Sequence, residues 1–280
     1  MGSFREFGQK ITALKGMGRV TRTMKMVASG YYRKAQIMLN TAGAYNLRLE
    51  ELCRDALPPE KPAARGRRAV VLVISANRGL CGGYNGAVAR KVTAWTAEHG
   101  SAYEKVSYVY IGKKAATILK ESCPSPYVYE TKSALPALEQ NVRTGLSLLA
   151  HHRDGEYDDL FMVYTKSINA VKSEPVVEQL LPFVLPAGRP GKSIADRMIL
   201  PETSVFGAHL KEQLIISRIY LAAVNSATAE QAARRLAMEN ASANIEKMIL
   251  RYTLLRNSAR QSSITRELSE IVSGAESLKG

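Results

Sequence analysis

The sequence predicts an α/β domain inserted between two long helices that pack against each other as a coiled coil. Residues 208–273 contain neither glycine nor proline and are rich in residues that form helices readily. Residues 1–57 also lack proline, and all 11 prolines lie between Pro58 and Pro201. Because proline interrupts helices, this distribution predicts helical ends with a different kind of structure between them.

The prolines also set the segment boundaries. We expect an N-terminal helix over residues 1–57, an inserted domain over residues 66–200 and a C-terminal helix over residues 207–280. One unbroken helix over residues 208–273 would be roughly 100 Å long at about 1.5 Å per residue, which is more than a small domain can bury. Such a helix needs a long partner helix, a second chain that encloses it, or both.

A 4,3 spacing of apolar residues marks the face of the N-terminal helix that we expect to contact the C-terminal helix. The series alternates large residues with small ones, mostly alanine, so that a partner helix can approach closely. Its members are Met24, Ala28, Tyr31, Ala35, Met38, Ala42, Tyr45, Leu49, Leu52 and Ala56.

The same spacing runs through the C-terminal helix from Leu210 to Tyr252, but the middle layers, such as Thr228 and Gln231, are polar. A zipper between two copies of this helix would not tolerate so many polar layers. An alanine-rich partner in the same chain would tolerate them better. We therefore expect the two terminal helices to pair with each other in antiparallel register.

Short β-branched runs alternate with helical stretches in the inserted segment. Residues 69–75, AVVLVIS, have the uncharged composition of a strand buried on both faces. The alternation predicts a small, mostly parallel sheet flanked by helices, that is, a Rossmann-like domain. We expect strands at 69–75, 106–111, 126–129, 160–165 and 176–185, the last at an edge with Pro175 and Pro182 near its ends, and helices at 85–99, 113–121 and 135–152.

The glycine-rich residues 79–86, GLCGGYNG, follow the first strand and invite a phosphate-binding interpretation. The spacing is G-x-x-G-G-x-x-G, no Gly-Lys-Ser/Thr ending is present, and no acidic residue ends the second strand to hold a ribose. A tight turn from strand to helix is the better account, so we expect no bound cofactor. The 3 cysteines and 4 histidines form no metal-ligand or catalytic pattern, so no metal site and no catalytic residue is predicted.

The net charge of +14 indicates acidic partners: nucleic acid, an anionic membrane surface or a carboxylate-lined protein. No apolar run reaches the ~18 residues of a membrane span, so direct membrane insertion is not expected. Two alternatives stay open at this point. A basic coiled coil that binds nucleic acid would explain the charge but not the inserted domain, and a nucleotide-dependent enzyme would use the inserted domain.

Four motifs together resemble the family of γ subunits of F-type ATP synthase, of the bacterial type. They occur in the family's order and span nearly the whole chain. Two departures stand out: GMGRVT at 16–21 replaces a more helix-favouring segment, and Asn77 stands where Asp is common. The motifs are TMKMVAS (23–29), NRGLCGGYN (77–85), AARRLAMENASANI (232–245) and ARQSSITRELSEIVSGAESL (259–278).

The resemblance implies the central stalk of a rotary enzyme. The terminal helices would form an antiparallel coiled coil inside a ring of alternating α and β subunits, and the inserted domain would meet the ε subunit and the ring of membrane c subunits. Ion flow would turn the shaft and so drive ATP synthesis at the β subunits, which leaves this chain without a catalytic site or bound nucleic acid. It would be a peripheral membrane protein on the cytoplasmic face of the bacterial inner membrane.

The resemblance also implies five partner contacts, which are Met24, Arg260, Gln261, Thr265 and Glu267. Arg260 and Gln261 would grip the β subunit where its acidic loops close, with Met24 packed beside them.

Overall fold

A computed structural model describes residues 4–56, 68–125, 127–130, 133–183 and 203–277 of the chain. The expected segment boundaries within 57–67 and 184–202 lie outside these residues. In chain order the elements are α1 (Phe4–Ala56), β1 (Arg68–Ile74), α2 (Tyr84–His99), a short 3-10 turn (Gly100–Ala102), β2 (Lys105–Ile111), α3 (Lys113–Ile118), β3 (Tyr127–Tyr129), α4 (Leu138–Arg153), β4 (Asp159–Ser167), β5 (Ser173–Leu181) and α5 (Thr203–Ser277).

The two long helices are present as predicted, with 53 residues in α1 and 75 in α5. α5 begins at Thr203, four residues before the expected start at residue 207, and passes through Gly207 and Gly274. A glycine costs a helix only about 1 kcal/mol relative to alanine, so neither position ends this one. Over the described residues, no helix combines the length and the apolar character needed to cross a membrane.

The strands of the described residues form one sheet in the order β3-β2-β1-β4-β5. β1 pairs in parallel with β2 and β4, and β2 pairs in parallel with β3. β5 lies at the edge and runs antiparallel to β4. The prediction of a mostly parallel sheet with the last strand at an edge is therefore confirmed.

Pro175 lies near the beginning of β5, as expected, but as the third residue of the strand rather than before its predicted start at residue 176. It stands opposite Thr165 in the ladder, and the backbone N–H of Thr165 donates to Ser226 Oγ at 3.1 Å rather than to β5. In such an antiparallel pair the backbone groups point away from each other, so a residue without an N–H fits this edge position.

Helices cover both faces of the sheet. On one face α2 and α3 pack on β1, β2 and β4, and Trp95 lies in this core with its ring centroid 4.7 Å from that of Phe161. On the other face α4, α5 and the end of α1 cover the strands, with Leu148, Leu214 and Ile219 among the buried residues. Trp95 is thus a core residue.

The chain divides into two compact units. One comprises Met1–Val27 with Arg235–Gly280, and the other comprises Ala28–Arg234. The sheet and its helices belong to the second unit, and both α1 and α5 contribute residues to each unit.

In the first unit α1 and α5 pack in antiparallel orientation. The rings of Phe7 and Tyr252 lie 6.1 Å apart, and Lys25 Nζ lies 2.8 Å from Glu239 Oε1. Residues later in α1 therefore contact residues earlier in α5. The predicted antiparallel register is therefore confirmed.

The second unit joins the two helices through a buried ion pair. Arg218 Nη2 donates to Glu50 Oε1 at 3.0 Å, and its second amino group lies 3.8 Å from Glu178 Oε1 on β5. The guanidinium also lies over the ring of Phe183, 5.7 Å from its centroid. Asn46 Nδ2 completes the group by donating to Glu50 at 3.0 Å. One arginine thus connects α1, α5 and the edge strand.

The buried face of α1 departs from the predicted series in alternate layers. Asn46 is 7% exposed whereas the predicted Tyr45 is 55% exposed, and Cys53 is fully buried where we expected Leu52. The prediction placed the more apolar residue of each neighbouring pair on the buried face, and therefore Tyr45 rather than Asn46. Asn46 is nevertheless buried, because its amide has the Glu50 carboxylate as a partner. The predicted layers that are buried are Ala28, Ala35, Ala42 and Leu49.

α5 is buried on nearly all sides in the second unit rather than along one seam. From Leu214 to Ala229 only Tyr220 and Leu221 are partly exposed. The single heptad series that we predicted for this stretch therefore describes only part of its contacts. The polar layer at Thr228 is accommodated because its hydroxyl donates to the Val224 carbonyl at 2.8 Å within the helix.

Candidate functional site

The predicted partner-contact residues all lie on the helices of the first unit, with exposed side chains. Met24 on α1 is 37% exposed, and the other four lie near the end of α5. Thr265 Oγ1 donates to the Gln261 carbonyl at 3.0 Å, which is a bond within the helix. Among the described residues Arg260 has no ion-pair partner, so its guanidinium is available to another chain.

Met24 does not lie beside Arg260 and Gln261, contrary to our expectation. Thr21, which precedes Met24 by less than one turn, contacts Ser242 with their hydroxyl oxygens 2.8 Å apart. Arg260 lies 18 residues further along α5 than Ser242, or roughly 27 Å at about 1.5 Å per residue. The antiparallel pairing thus separates Met24 from the C-terminal group, and the five residues form two contact regions.

The C-terminal group frames an exposed apolar stripe. At about 100° per residue, the four predicted residues from Arg260 to Glu267 cover about 160° of the helix circumference. Four large apolar side chains fall in the same sector at the spacing i, i+4, i+7, i+8, each at least 46% exposed. They are Ile264, Leu268, Ile271 and Val272.

The remaining side of this segment is polar, so the end of α5 is an amphipathic helix. Within the described residues no other element covers its apolar stripe. A contiguous exposed apolar surface rimmed by polar groups is typical of a protein interaction site. We did not predict these four residues, although their helical spacing is visible in the sequence. The polar side comprises Ser262, Ser263, Arg266, Ser269, Glu270 and Ser273.

The coiled coil near Met24 has a charged flank. Arg22 Nη2 lies 3.1 Å from Glu246 Oε1, next to the Lys25–Glu239 pair. The hydrogen bond and charge of Lys25 lower the pKa of the Glu239 carboxyl below its ordinary value. These pairs are exposed to water, so they contribute little to stability and mainly define a polar surface.

The opposite flank of the same coiled coil is uncharged and largely apolar. Met17, Val20 and Met24 project about 140–160° around α1 from Arg22, and Met17 and Val20 are more than half exposed. Between Glu239 and Met248, the α5 residues that project equally far from Glu246 are also uncharged, namely Ala241, Asn244 and Met248. The charged Arg251 projects at a similar angle, but it lies almost one turn beyond Met248. Met24 therefore belongs to a largely apolar surface, and Met17 and Val20 are further contact candidates that we did not predict.

Gly16 borders this largely apolar flank, and none of the residues that the structure describes requires a glycine there. A Cβ built on Gly16 has no described atom within 4 Å, whereas one on Gly18 would lie 3.4 Å from Ile245 Cγ2. Gly16→Ala should therefore raise the free energy of unfolding of the isolated chain by about 0.5–1 kcal/mol, because alanine restricts the unfolded chain and favours the helix.

Urea denaturation of the isolated protein measures this gain, with Gly18→Ala as the matched control. The control should gain less, because Ile245 must shift to accommodate the methyl group. A Gly16→Ala protein that unfolds at a lower urea concentration than the wild type would show that the chain itself needs this glycine.

The glycine-rich residues form the tight turn that we predicted. Leu80 and Gly82 have φ angles of 62° and 58°, and Asn85 Oδ1 accepts the backbone N–H of Ala76 at 3.1 Å. Burial raises the pKa of the Cys81 thiol, which disfavours the reactive thiolate. Across the described residues, His, Cys, Asp and Glu form no cluster that could hold a metal ion.

Comparison with known proteins gives one consistent result. A family described as ATP synthase matches residues 3–278. The chain is 32% identical to the ATP synthase gamma chain of Anaeromyxobacter sp. and 32% identical to that of Moorella thermoacetica, with 100% of each chain covered in both alignments. A chain of the Euglena gracilis mitochondrial ATP synthase (OSCP/F1/c-ring) has a similar fold, with a TM-score of 0.70, 19% identity and coverage of 98% of this chain and 94% of that one.

Proposed function

The chain belongs to the family of ATP synthase gamma chains, and from this membership we propose that it is the central shaft that couples ion-driven rotation of a membrane c ring to ATP synthesis or hydrolysis at the β subunits. Catalysis takes place on the β subunits, and this chain supplies the surface that moves past them. The exposed amphipathic end of α5 carries the proposal, because a helix with an uncovered apolar stripe requires an enclosing partner.

The α and β subunits are the proposed partners of the first unit. Between residues 4 and 49, Glu6 is the one acidic residue of α1, so this helix presents basic side chains to its surroundings. Acidic loops of the β subunits would complement that charge, and complementary charge favours correct orientation of partners more than it adds affinity. Ile264 and Leu268 would then pack against the apolar lining of the enclosing ring.

The inserted segment at 66–200 is proposed to meet the ε subunit and the c ring, which would place the protein peripherally at the cytoplasmic face of a bacterial membrane. The bacterial gamma chains at about one-third identity support this location. The alternative of a nucleic-acid-binding coiled coil is set aside, because family membership accounts for the charge, both helices and the sheet together.

Arg260→Ala should leave the subunit folded and incorporated but lower coupled ATP synthesis. Arg260 is exposed on α5, and its planar donor fork can hold a carboxylate of a β subunit through two hydrogen bonds. Loss of a charge-assisted bond of ~1.5–3 kcal/mol would slow a rotary step by roughly ten- to over a hundredfold. Arg260→Lys should recover only part of the rate, since an ammonium group cannot form the bidentate pair.

The measurement uses complexes reconstituted in vesicles, in which subunit content, ATP hydrolysis and ion-driven synthesis are compared. Arg266→Ala is the matched control, because Arg266 is also exposed on α5 but lies on its polar side. Equal synthesis in the Arg260→Ala and Arg266→Ala complexes would refute the contact, and a wild-type chain that enters no complex with α and β subunits would refute the proposed function.

A further inference from the structure

We propose that Tyr84, Asn225 and Ser226 form a buried polar latch that fixes the rotational register of α5 against the sheet, so that torque on the inserted domain reaches α5 through directed hydrogen bonds. The mechanical role of the latch rests on the proposed function. The hydrogen bonds that form the latch are a feature of the second unit and do not depend on that function.

In the first part of the latch, side chains of α5 pair with the end of β4, where β1 no longer does. β1 pairs with β4 only as far as Val163. Beyond that point, the backbone N–H of Thr165 donates to Ser226 Oγ at 3.1 Å, and that of Ser167 donates to Asn225 Oδ1 at 3.2 Å. Two side chains of α5 thus continue the hydrogen-bond pattern of the sheet where β1 ends.

The second part reaches α5 from the other side of the sheet. Tyr84, the first residue of α2, is buried and donates its hydroxyl to the backbone carbonyl of Ser226 at 3.2 Å. Burial raises the pKa of this hydroxyl above its ordinary value, so that it remains a donor. Ser226 therefore receives hydrogen bonds from two different elements, one at its side chain and one at its backbone.

These contacts add directional constraints to the close packing of α5. The transfer of apolar surface out of water has no directional preference, and packing opposes rotation of the helix only through the fit of its side chains. Hydrogen bonds require defined distances and angles, and a slipped helix would leave buried N–H groups unpaired. Asn225 is itself oriented by a bond from its Nδ2 to the Leu221 carbonyl at 3.1 Å.

A second attachment lies further along α5. Arg234 Nη2 donates to the Gly79 carbonyl at 3.3 Å and pairs with Glu230 Oε1 at 2.6 Å. Burial raises the pKa of the Glu230 carboxyl, against the opposing effect of Arg234. Arg234 follows Ser226 by 8 residues, or roughly 12 Å at about 1.5 Å per residue. Two attachments separated along the axis resist twisting of the helix better than one.

Ser226→Ala and Tyr84→Phe each remove one bond of the latch, and Thr228→Val is the matched control. Thr228 is as buried as Ser226, but its hydroxyl donates only within α5, to Val224. Hydrogen exchange on the full chain should show the Thr165 amide exchanging roughly 10- to 100-fold faster in Ser226→Ala and unchanged in Thr228→Val.

The mechanical consequence is measured on the assembled complex, with α and β subunits immobilised and a bead attached at Ile118→Cys. Ile118 is exposed whereas the three native cysteines are buried, so labelling is selective. The angular spread of the paused bead should widen in Ser226→Ala and in Tyr84→Phe and stay at the wild-type value in Thr228→Val.

The outcomes separate the latch from the function on which it rests. A wild-type complex that hydrolyses ATP without turning the bead would refute the proposed rotary function, and the exchange of Thr165 would still decide whether the latch exists. Wild-type rotation with unchanged spread in both latch variants would refute the mechanical role. If Ser226→Ala does not fold, Tyr84→Phe decides the mechanical test, because it removes only a hydroxyl group.

Discussion

Ala35→Glu should lower the free energy of unfolding by about 3–5 kcal/mol and prevent stable assembly, because it places an uncompensated charge in a closed layer between helices. Ala35 is 0% exposed, and Ala28 and Ala42, which are also buried, lie one heptad before and after it. The small side chains let the neighbouring elements approach the α1 backbone, so that a carboxylate has neither space nor water. Urea denaturation of the isolated chain measures the loss.

Ile37→Glu is the matched control, because it introduces the same charge two residues away on a side chain that is 68% exposed. A substitution at the surface should change stability by no more than about 0.5 kcal/mol. If the two variants unfold at the same urea concentration, the Ala35 face of α1 is not a closed layer and the predicted seam is wrong.

Arg218→Ala should cost a similar amount, about 3–5 kcal/mol, because it leaves Glu50 and Glu178 without their shared cation in a largely buried site. Glu50 has a side chain only 18% exposed, so water replaces the lost partner poorly. The loss should also loosen β5 from α1, since one guanidinium contacts both elements. Thermal denaturation and hydrogen exchange of β5 amides report the two effects.

Arg48→Ala provides the comparison, because Arg48 pairs with Glu51 at 2.7 Å while its side chain is 81% exposed. Such a surface pair contributes about 0–1 kcal/mol. A double variant, Arg218→Met with Glu50→Gln, should recover part of the stability, since it removes the charge of the buried Glu50 together with that of Arg218 and leaves only the more exposed Glu178 carboxylate unpaired. An Arg218→Ala protein as stable as Arg48→Ala would show that the buried network does not support the fold.

The features of the fold that could be predicted are those encoded locally. The absence of proline before Pro58 predicts α1, and the β-branched run from Ala69 predicts the central strand, because each depends on backbone preferences within a few residues. The strand at Ser173–Leu181 begins three residues before its predicted start, because Pro175 is an end signal by local rules alone. Tolerance of this proline depends on its place on the edge strand β5, opposite Thr165 of β4, and no local pattern reveals that pairing.

The candidate site likewise combines features that are encoded locally with features that depend on residues distant in sequence. The C-terminal residues were identified through a motif, and their side chains are exposed in the structure. The separation of Met24 from Arg260 follows from the level at which Thr21 meets Ser242, which depends on how the two helices are aligned. The stripe from Ile264 to Val272 was accessible from helical spacing alone, whereas the latch at Ser226 joins elements that are distant in sequence.

Because the two flanks of the coiled coil near Met24 differ chemically, the shaft does not present the same surface in all directions. Identical subunits surrounding this shaft would meet methionine and valine on one side and the Arg22–Glu246 pair on the other, so they cannot all have the same environment at one moment. Dissolved ions screen contacts with the charged flank over about 10 Å at 0.1 M ionic strength and leave apolar contacts largely unaffected. Added salt should therefore change the relative occupancy of the angular positions of the shaft, rather than weaken all of them alike.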